Sequence, residues 1–231
     1  MLNRTIATIL LLLFLAWPAL AEQNVSPGIN RYYTNPDVSS WVSVFERDGR
    51  EIFDRRHDIL AAMQVRRGMT VADIGAGTGF FTLMLAEAVG PEGKVYAVDI
   101  SPAFLDAIAQ RAKSKGLHNV VTILGEQKNA NLPRGELDRV YIGDTYHHFE
   151  YPVTYSKTIA SALRPDGQVI VVDFKRIPGI SSAWVLGHVR AGKETFIEEM
   201  NRAGLVLLED LDFMRTQYFL RLGPAAGKPT R

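Results

Sequence analysis

Cysteine is absent from the 231 residues. That excludes disulfide staples, thiolate nucleophiles, thiolate metal ligands, iron–sulfur clusters and a lipidated cysteine. An excess of one charge sign is also missing: 26 Lys and Arg oppose 25 Asp and Glu, a formal +1. A protein that works by neutralising phosphates carries more positive charge, so no nucleic-acid partner is expected. Two phosphate-binding signatures are missing as well. There is no G-x-x-x-x-G-K-[ST], and the spacing G-x-G-x-x-G/A fails. Counted from Gly75 it requires a small residue where Phe80 stands, and counted from Gly77 it meets Thr82. A nicotinamide oxidoreductase is therefore the weaker of the rival readings. Internal repeats and interdomain linkers are absent too.

What is present describes an ordinary globular chain. Hydrophobic residues make up 47% and charged residues 22%, enough for one sizeable core and one domain. The N-terminus reads as an address. Arg4 precedes the apolar run Ile9–Trp17, Pro18 breaks it, and Ala19-Leu20-Ala21 offers a small-x-small cleavage site before polar Glu22-Gln23-Asn24. This is the three-part layout of a secretory signal peptide, with cleavage expected after Ala21. The run is short of the ~20 residues that span a bilayer comfortably. An uncleaved anchor over residues 5–21 is the alternative. No later segment is apolar enough to span a membrane. The expected location is periplasmic or secreted.

Four parts are expected: a signal peptide at 1–21, a helical extension or lid at 22–67, the main domain at 68–222 and a flexible tail at 223–231. In the extension, Val38, Trp41, Val42 and Phe45 share one helical face, and Ile52, Phe53, Arg56, Leu60 and Met63 continue with helical period. Trp41 and Phe45 are expected to pack the extension onto the core. Arg47, Arg50, Arg55 and Arg56 are expected on a solvated face. Beyond Gly68, strands and helices alternate. Strands are expected at 69–74, 94–99, 119–124, 138–143, 168–174, 205–211 and 216–222, with helices at 78–89, 102–115, 152–163 and 194–203. Arg164-Pro165-Asp166-Gly167 reads as a turn. Apolar strands alternating with helices imply an α/β fold, a doubly wound, mostly parallel sheet covered on both faces.

The most informative stretch is Val71-Ala72-Asp73-Ile74-Gly75-Ala76-Gly77-Thr78-Gly79, which leaves the first strand and enters a helix. Doubly wound folds bind nucleotide-like ligands at this place. Its glycines allow a tight turn and close backbone approach. Asp73 beside the turn is a poor neighbour for pyrophosphate and a good one for an ammonium or sulfonium group. Asp99 ends the second strand, 20 residues after Gly79, where a carboxylate can accept both hydroxyls of a ribose. Glu126 follows the third strand, within reach of an adenine amino group or of its own loop. Each of these acids has a plainer reading, a strand-end carboxylate capping the next turn.

Here the sequence resembles the class I S-adenosylmethionine-dependent methyltransferases. The resemblance covers about Met69 to Leu222 and rests on VADIGAGTG, VDIS and ALRPDGQVIVVDF. It implies a seven-stranded sheet ordered 3-2-1-4-5-7-6 with the last strand antiparallel, and S-adenosylmethionine as cofactor. It places Asp73 near the methionine amino group, Gly75, Gly77 and Gly79 around the cofactor, and Asp99 with Ile100 at the ribose. Glu126 and Asp144 complete the expected cofactor set. Glu126, followed by Gln127, stands where many members carry Asp, a departure at the adenine end.

After the fourth strand comes Asp144-Thr145-Tyr146-His147-His148. The D/N-P-P-Y signature of DNA and other amino-group methyltransferases is not there. The strand's carboxyl end faces the methyl donor in this layout. The resemblance makes His147 a base in some small-molecule O-methyltransferases, and a similar His pair occurs in ubiquinone- and menaquinone-type members. His147 and His148 are therefore the candidate proton acceptors; alternatively they pack the loop. No metal site is expected, because adjacent histidines point apart and no third ligand is apparent. Tyr32 and Tyr33 are expected to lid the acceptor pocket, and Tyr146, His188 and Arg190 to line it. The expected activity is methyl transfer to a small, hydroxylated or aromatic molecule. The rival is an exported protein that binds the cofactor or its demethylated product without turnover. The sequence specifies no oligomeric state.

Overall fold

The computed structural model describes residues 21–225. All but Ala21 of the expected leader, and residues 226–231 of the expected tail, lie outside them. Among the described residues three short helices come first: α1 (Val38–Phe45), α2 (Glu51–Asp54) and α3 (Arg56–Ala62). The alternating part follows as β1 (Thr70–Ile74), α4 (Phe80–Val89), β2 (Lys94–Asp99), α5 (Pro102–Ser114), β3 (Val120–Leu124) and β4 (Leu137–Gly143). It continues with α6 (Pro152–Ala162), β5 (Leu163–Phe174), α7 (Ala183–His188), α8 (Lys193–Arg202), β6 (Leu205–Leu211) and β7 (Gln217–Pro224).

The strands form one sheet ordered β3-β2-β1-β4-β5-β7-β6, the order expected from the resemblance. β3, β2, β1, β4 and β5 run parallel, and β7 is antiparallel to both of its neighbours. Burial follows position. Val71 to Ile74 of β1 and Val95 to Asp99 of β2 are buried without alternation, as strands covered on both faces must be. The edge strands β3 and β6 instead expose Val121, Leu124, Val206, Leu207 and Leu208. One core layer lies under α6 and α8, around Ile159, Phe196 and Met200. The other lies under α3 and α4, around Ile59, Phe81 and Leu85.

Local chemistry sets the boundaries. Ser101 caps α5 by accepting from the Phe104 amide, and Pro102 starts the helix where its missing N–H costs nothing. α6 has no cap from Tyr151. Its first turn is held from a distance by Glu22, whose carboxylate accepts the amides of Val153 and Thr154 at 2.9 and 2.7 Å. Replacing Glu22 by Ala is expected to cost about 1 kcal/mol, the usual size of a lost cap. The check is a lower urea midpoint at unchanged slope.

Four expectations about elements are corrected. The helix expected across Ile52–Met63 breaks into α2 and α3 at Arg55. The Arg164–Gly167 turn lies inside β5, as an outward excursion where the register against β4 jumps from Leu163 to Gln168. α7 is an element beyond those the sequence predicts. Trp41 and Phe45 do not enter the core, because α1 buries no residue fully.

Candidate active site

The carboxyl ends of β1, β2, β4 and β5 converge on one cavity of about 2050 Å³. Its floor is the glycine loop. Gly75, Gly77 and Gly79 all take positive φ, at 67, 53 and 81°. A Cβ on Gly75 would lie 2.3 Å from a methyl of Thr145, and one on Gly79 would lie 2.6 Å from Ile108. Both positions thus require glycine on two counts, backbone and space. The turn is tied to β2: the amides of Gly75 and Ala76 donate to Val98 O, and the amide of Gly77 donates to Asp99 Oδ2 at 2.9 Å.

Asp73 and Asp99 stand at the ends of adjacent strands and are nearly fully buried. Asp73 accepts from Thr82 Oγ1 at 2.7 Å, while Asp99 Oδ1 accepts the Ser101 amide at 2.9 Å. Burial pushes Asp73 up to about 7, against the Thr82 hydrogen bond, and the neighbouring Asp99 adds to the rise. Burial likewise pushes Asp99 up to about 6, against the amides of Gly77, Ser101 and Ile100. Two buried acids with raised affinity for protons form a site waiting for positive charge or hydroxyl donors. Each oxygen of Asp99 has a second lone pair to offer. Ile100 borders the same cavity. Glu126 is exposed at the rim of the same cavity, and its carboxylate accepts from Asn131. The glycine cradle, the paired acids and the cavity fit S-adenosylmethionine, with Asp73, the loop and Asp99 as the residues that would hold it.

These acids give a pH dependence of defined sign. A carboxyl whose folded pKa is raised binds its proton more tightly folded than unfolded. Its contribution to stability is full below the unfolded value near 3.8 and is lost as pH rises through the folded value. Ligand-free protein is expected to lose stability between about pH 4 and 7. Thermal melting across that range checks it, and Asp73→Asn should flatten the slope.

The opposite wall carries the histidines. His147 and His148 sit on a 3₁₀ turn (Tyr146–His148) after β4. β5 runs beside β4, so Asp173 at its end reaches back to the turn. Both oxygens of Asp173 lie within 3.0 Å of His147 Nδ1, and Oδ2 also accepts the His147 amide. That pairing fixes Nδ1 as the protonated nitrogen and leaves Nε2, which is buried without a hydrogen-bond partner. His188, from the last turn of α7, brings its Nε2 to 3.3 Å from His148 Nε2 and stacks on Trp184. Burial first, then the neighbouring histidines, hold His148 down to about 2, and burial also lowers His188. Both are neutral imidazoles at ordinary pH.

The N-terminal extension closes the third side. Tyr33, Trp41 and Phe45 form a chain of rings with centroids 4.9 Å apart, and Tyr33 meets His148 edge-on at 5.0 Å. Phe45 lies over Gly77, where an added Cβ would approach it to 3.3 Å. Trp41 and Phe45 therefore wall the cavity. Arg50, expected on a solvated face, reaches into the site and pairs with Asp144 at 2.7 Å. Asp144 has φ 48° and also accepts from Gln217, so its carboxylate is held by protein groups on both sides.

Two expected substrate contacts are corrected. Tyr146 is fully buried among Phe149 and Phe196, with its hydroxyl donating to Glu199. Arg190 makes a two-pronged pair with the same Glu199, at 2.8 and 2.6 Å, under the α8 layer. Both residues brace the core and neither borders the cavity. Tyr32 is 64% exposed at the cavity rim and is engaged by the Arg31 guanidinium, while Tyr33 packs against Trp41 and His148. The expectation that no third ligand accompanies His147 and His148 is also overturned, since His188 completes a cluster with them.

Comparison with known proteins agrees with this geometry. A family model described as a methyltransferase domain matches residues 66–206. A demethylmenaquinone methyltransferase of Geobacillus stearothermophilus is 34% identical over 134 residues, 56% of this chain and 57% of that protein. One of Listeria welshimeri is 31% identical over 126 residues, 54% of this chain and 53% of that protein. The chain thus spans little more than half the length of these curated relatives. A SAM-dependent methyltransferase from Aquifex aeolicus shares the fold, with a TM-score of 0.71 at 22% identity over 81% of this chain and 98% of that one. The chain belongs to the methyltransferase domain family, whose class I members use S-adenosylmethionine as cofactor.

Proposed function

We propose that this chain transfers the methyl group of S-adenosylmethionine to a small, planar, hydroxylated aromatic acceptor. The observation that carries the reading is that one cavity joins two chambers of different chemistry. On one side are the glycine turn and the two buried acids. On the other are aromatic faces, Tyr33, Trp41, Phe45 and Trp184, with imidazoles between them. Aromatic walls select flat apolar molecules, and the imidazoles supply polar contacts for a ring hydroxyl. At about 2050 Å³ the cavity exceeds the usual range for one small ligand, so there is room for donor and acceptor together. The name of the matched relatives, demethylmenaquinone methyltransferase, supports an acceptor of the quinol type.

The bound cofactor supplies an electrophilic methyl group on a positive sulfur. The protein's task is alignment. Asp99 and the glycine turn hold the nucleoside end, Asp73 attracts the positive end, and the ring ladder of the extension seats the acceptor opposite. Such positioning is worth up to about 7–11 kcal/mol in favourable cases. With no ion on the imidazoles, a proton leaving the acceptor hydroxyl falls to His147 Nε2, the partnerless nitrogen of the ring that Asp173 orients.

We infer also that the chain acts outside the cytoplasm, cleaved after Ala21. The leader-like residues support this, and so does Glu22, which would begin the mature chain already seated on α6. Mass spectrometry of the exported protein tests it: a chain starting at Glu22 is expected, and an intact Met1 would leave an anchor. For the activity, labelled methyl donor is incubated with the protein and a lipid extract of the source cells. Label is expected in an organic-soluble aromatic product. Tight cofactor binding with no label in any product would return the protein to the class of non-catalytic binders.

A further inference from the structure

The geometry of the three imidazoles has a second use. His147, His148 and His188 each offer a ring nitrogen, and these atoms lie within 4.8 Å of one another. The three rings are mutual neighbours, with centroids 4.3 Å apart for His147 and His148 and 5.1 Å for each of them to His188. Asp173 grips His147 Nδ1 from behind, and the far nitrogen, Nε2, is buried with no hydrogen-bond partner. A carboxylate behind a histidine, with the far nitrogen bare, is the arrangement that orients imidazole ligands on metals. His148 Nε2 and His188 Nε2 face each other at 3.3 Å. A tetrahedral ion with bonds of about 2.0–2.1 Å sets its ligand nitrogens about 3.3–3.4 Å apart.

We propose that His147, His148 and His188 bind one divalent transition-metal ion of the zinc class, with a fourth position left open to the acceptor chamber. Three imidazole ligands without a thiolate suit zinc and its neighbours and not magnesium or calcium. Three protein ligands plus one open position is the layout of a reactive site rather than a structural one. All three histidines border the cavity, so the open position takes an oxygen ligand, water or a ring hydroxyl. The identity of that oxygen ligand rests on the proposed function; the ion site itself does not. Phe174 and Trp184 border the cluster from within the cavity, Trp184 stacking on His188 and Phe174 meeting His147 and Trp184 edge-on.

The test is a zinc titration of the full chain, prepared without a histidine tag and stripped by chelator, with S-adenosylhomocysteine binding measured on the same samples. One zinc per chain is expected, with cobalt giving the intense visible absorption of a four-coordinate site. His188→Ala should weaken zinc binding by at least the roughly 10–100-fold that loss of an outer partner costs, while nucleoside binding, read separately, stays intact. A double variant, His57→Ala with His118→Ala, removes two exposed histidines and should leave zinc binding unchanged. A chain that binds the nucleoside but takes up no stoichiometric zinc overturns the metal site and leaves the proposed function standing. Zinc uptake unaffected by His188→Ala also overturns it, as adventitious binding. Zinc uptake lost with His188 in a chain that ignores the nucleoside would support the metal site and contradict the proposed function.

Discussion

Asp99→Ala is expected to weaken S-adenosylhomocysteine binding by about 100-fold, on the order of 3 kcal/mol. The proposed ribose contact would supply two hydrogen bonds from hydroxyls to this carboxylate, at about 1.5 kcal/mol each. The same carboxylate already accepts the amides of Gly77 and Ser101, so its removal also strands two buried donors and loosens the glycine turn. Asp99→Asn keeps one acceptor and turns a donor towards one of those amides, so it should fall between wild type and Ala. His148→Ala removes nothing that faces the ribose and should cost far less. Calorimetry on the three variants checks the order. Equal losses for Asp99→Ala and His148→Ala would remove the ribose from Asp99.

The second large effect belongs to Arg50→Ala. It leaves Asp144 buried beside the carboxylate of Asp173, with Gln217 as its remaining donor. Breaking a fully buried pair costs about 3–5 kcal/mol. The Arg50 side chain is 23% exposed, so about 2–3 kcal/mol is expected here. Burial pushes Asp144 up to about 6 even with Arg50 present; Arg50 and His147 pull it down, and Asp173 pushes it up. Tyr33 and Tyr141 face it too and stay neutral. The sign follows. Below about pH 6 Asp144 takes a proton and the loss of Arg50 matters less; above it the deficit grows, and it is full once pH passes the still higher value that Asp144 takes without Arg50. Urea denaturation at pH 5 and pH 8 should show the larger deficit at pH 8. Adding Asp144→Asn should recover much of it. A deficit independent of pH would mean that Arg50 acts by packing over Phe45 alone.

The parts of the site that could be read before folding are those whose chemistry is local. Asp73 and Asp99 end apolar strands, and Gly75, Gly77 and Gly79 mark a turn that admits no side chain. Adjacent strand ends then bring the acids together without further information. The same rule would have found Asp173, which also ends an apolar strand, Val169 to Val172, beside the fourth. The misses are tertiary. Tyr146 and Arg190 look like polar site residues in sequence, yet both are consumed by the buried Glu199 on α8. Arg50 sits in a run of arginines that resembles a solvated face, and only the fold of the extension turns it onto Asp144. Trp41 and Phe45 have the spacing of core residues, but α1 lies over an open cavity rather than over the sheet. α7 is six residues long, too short for periodicity to register, so the sequence marks His188 as a pocket residue but not as a member of the histidine cluster.

Everything proposed for this site depends on a loop, flanked by buried carboxylates, that would grip a nucleoside with a positive, thioether-derived end. Titration calorimetry of the full chain with S-adenosylhomocysteine and, separately, with NAD tests it most directly. Micromolar or tighter binding of the first and none of the second is the predicted result; binding of NAD without the thioether nucleoside would contradict the account.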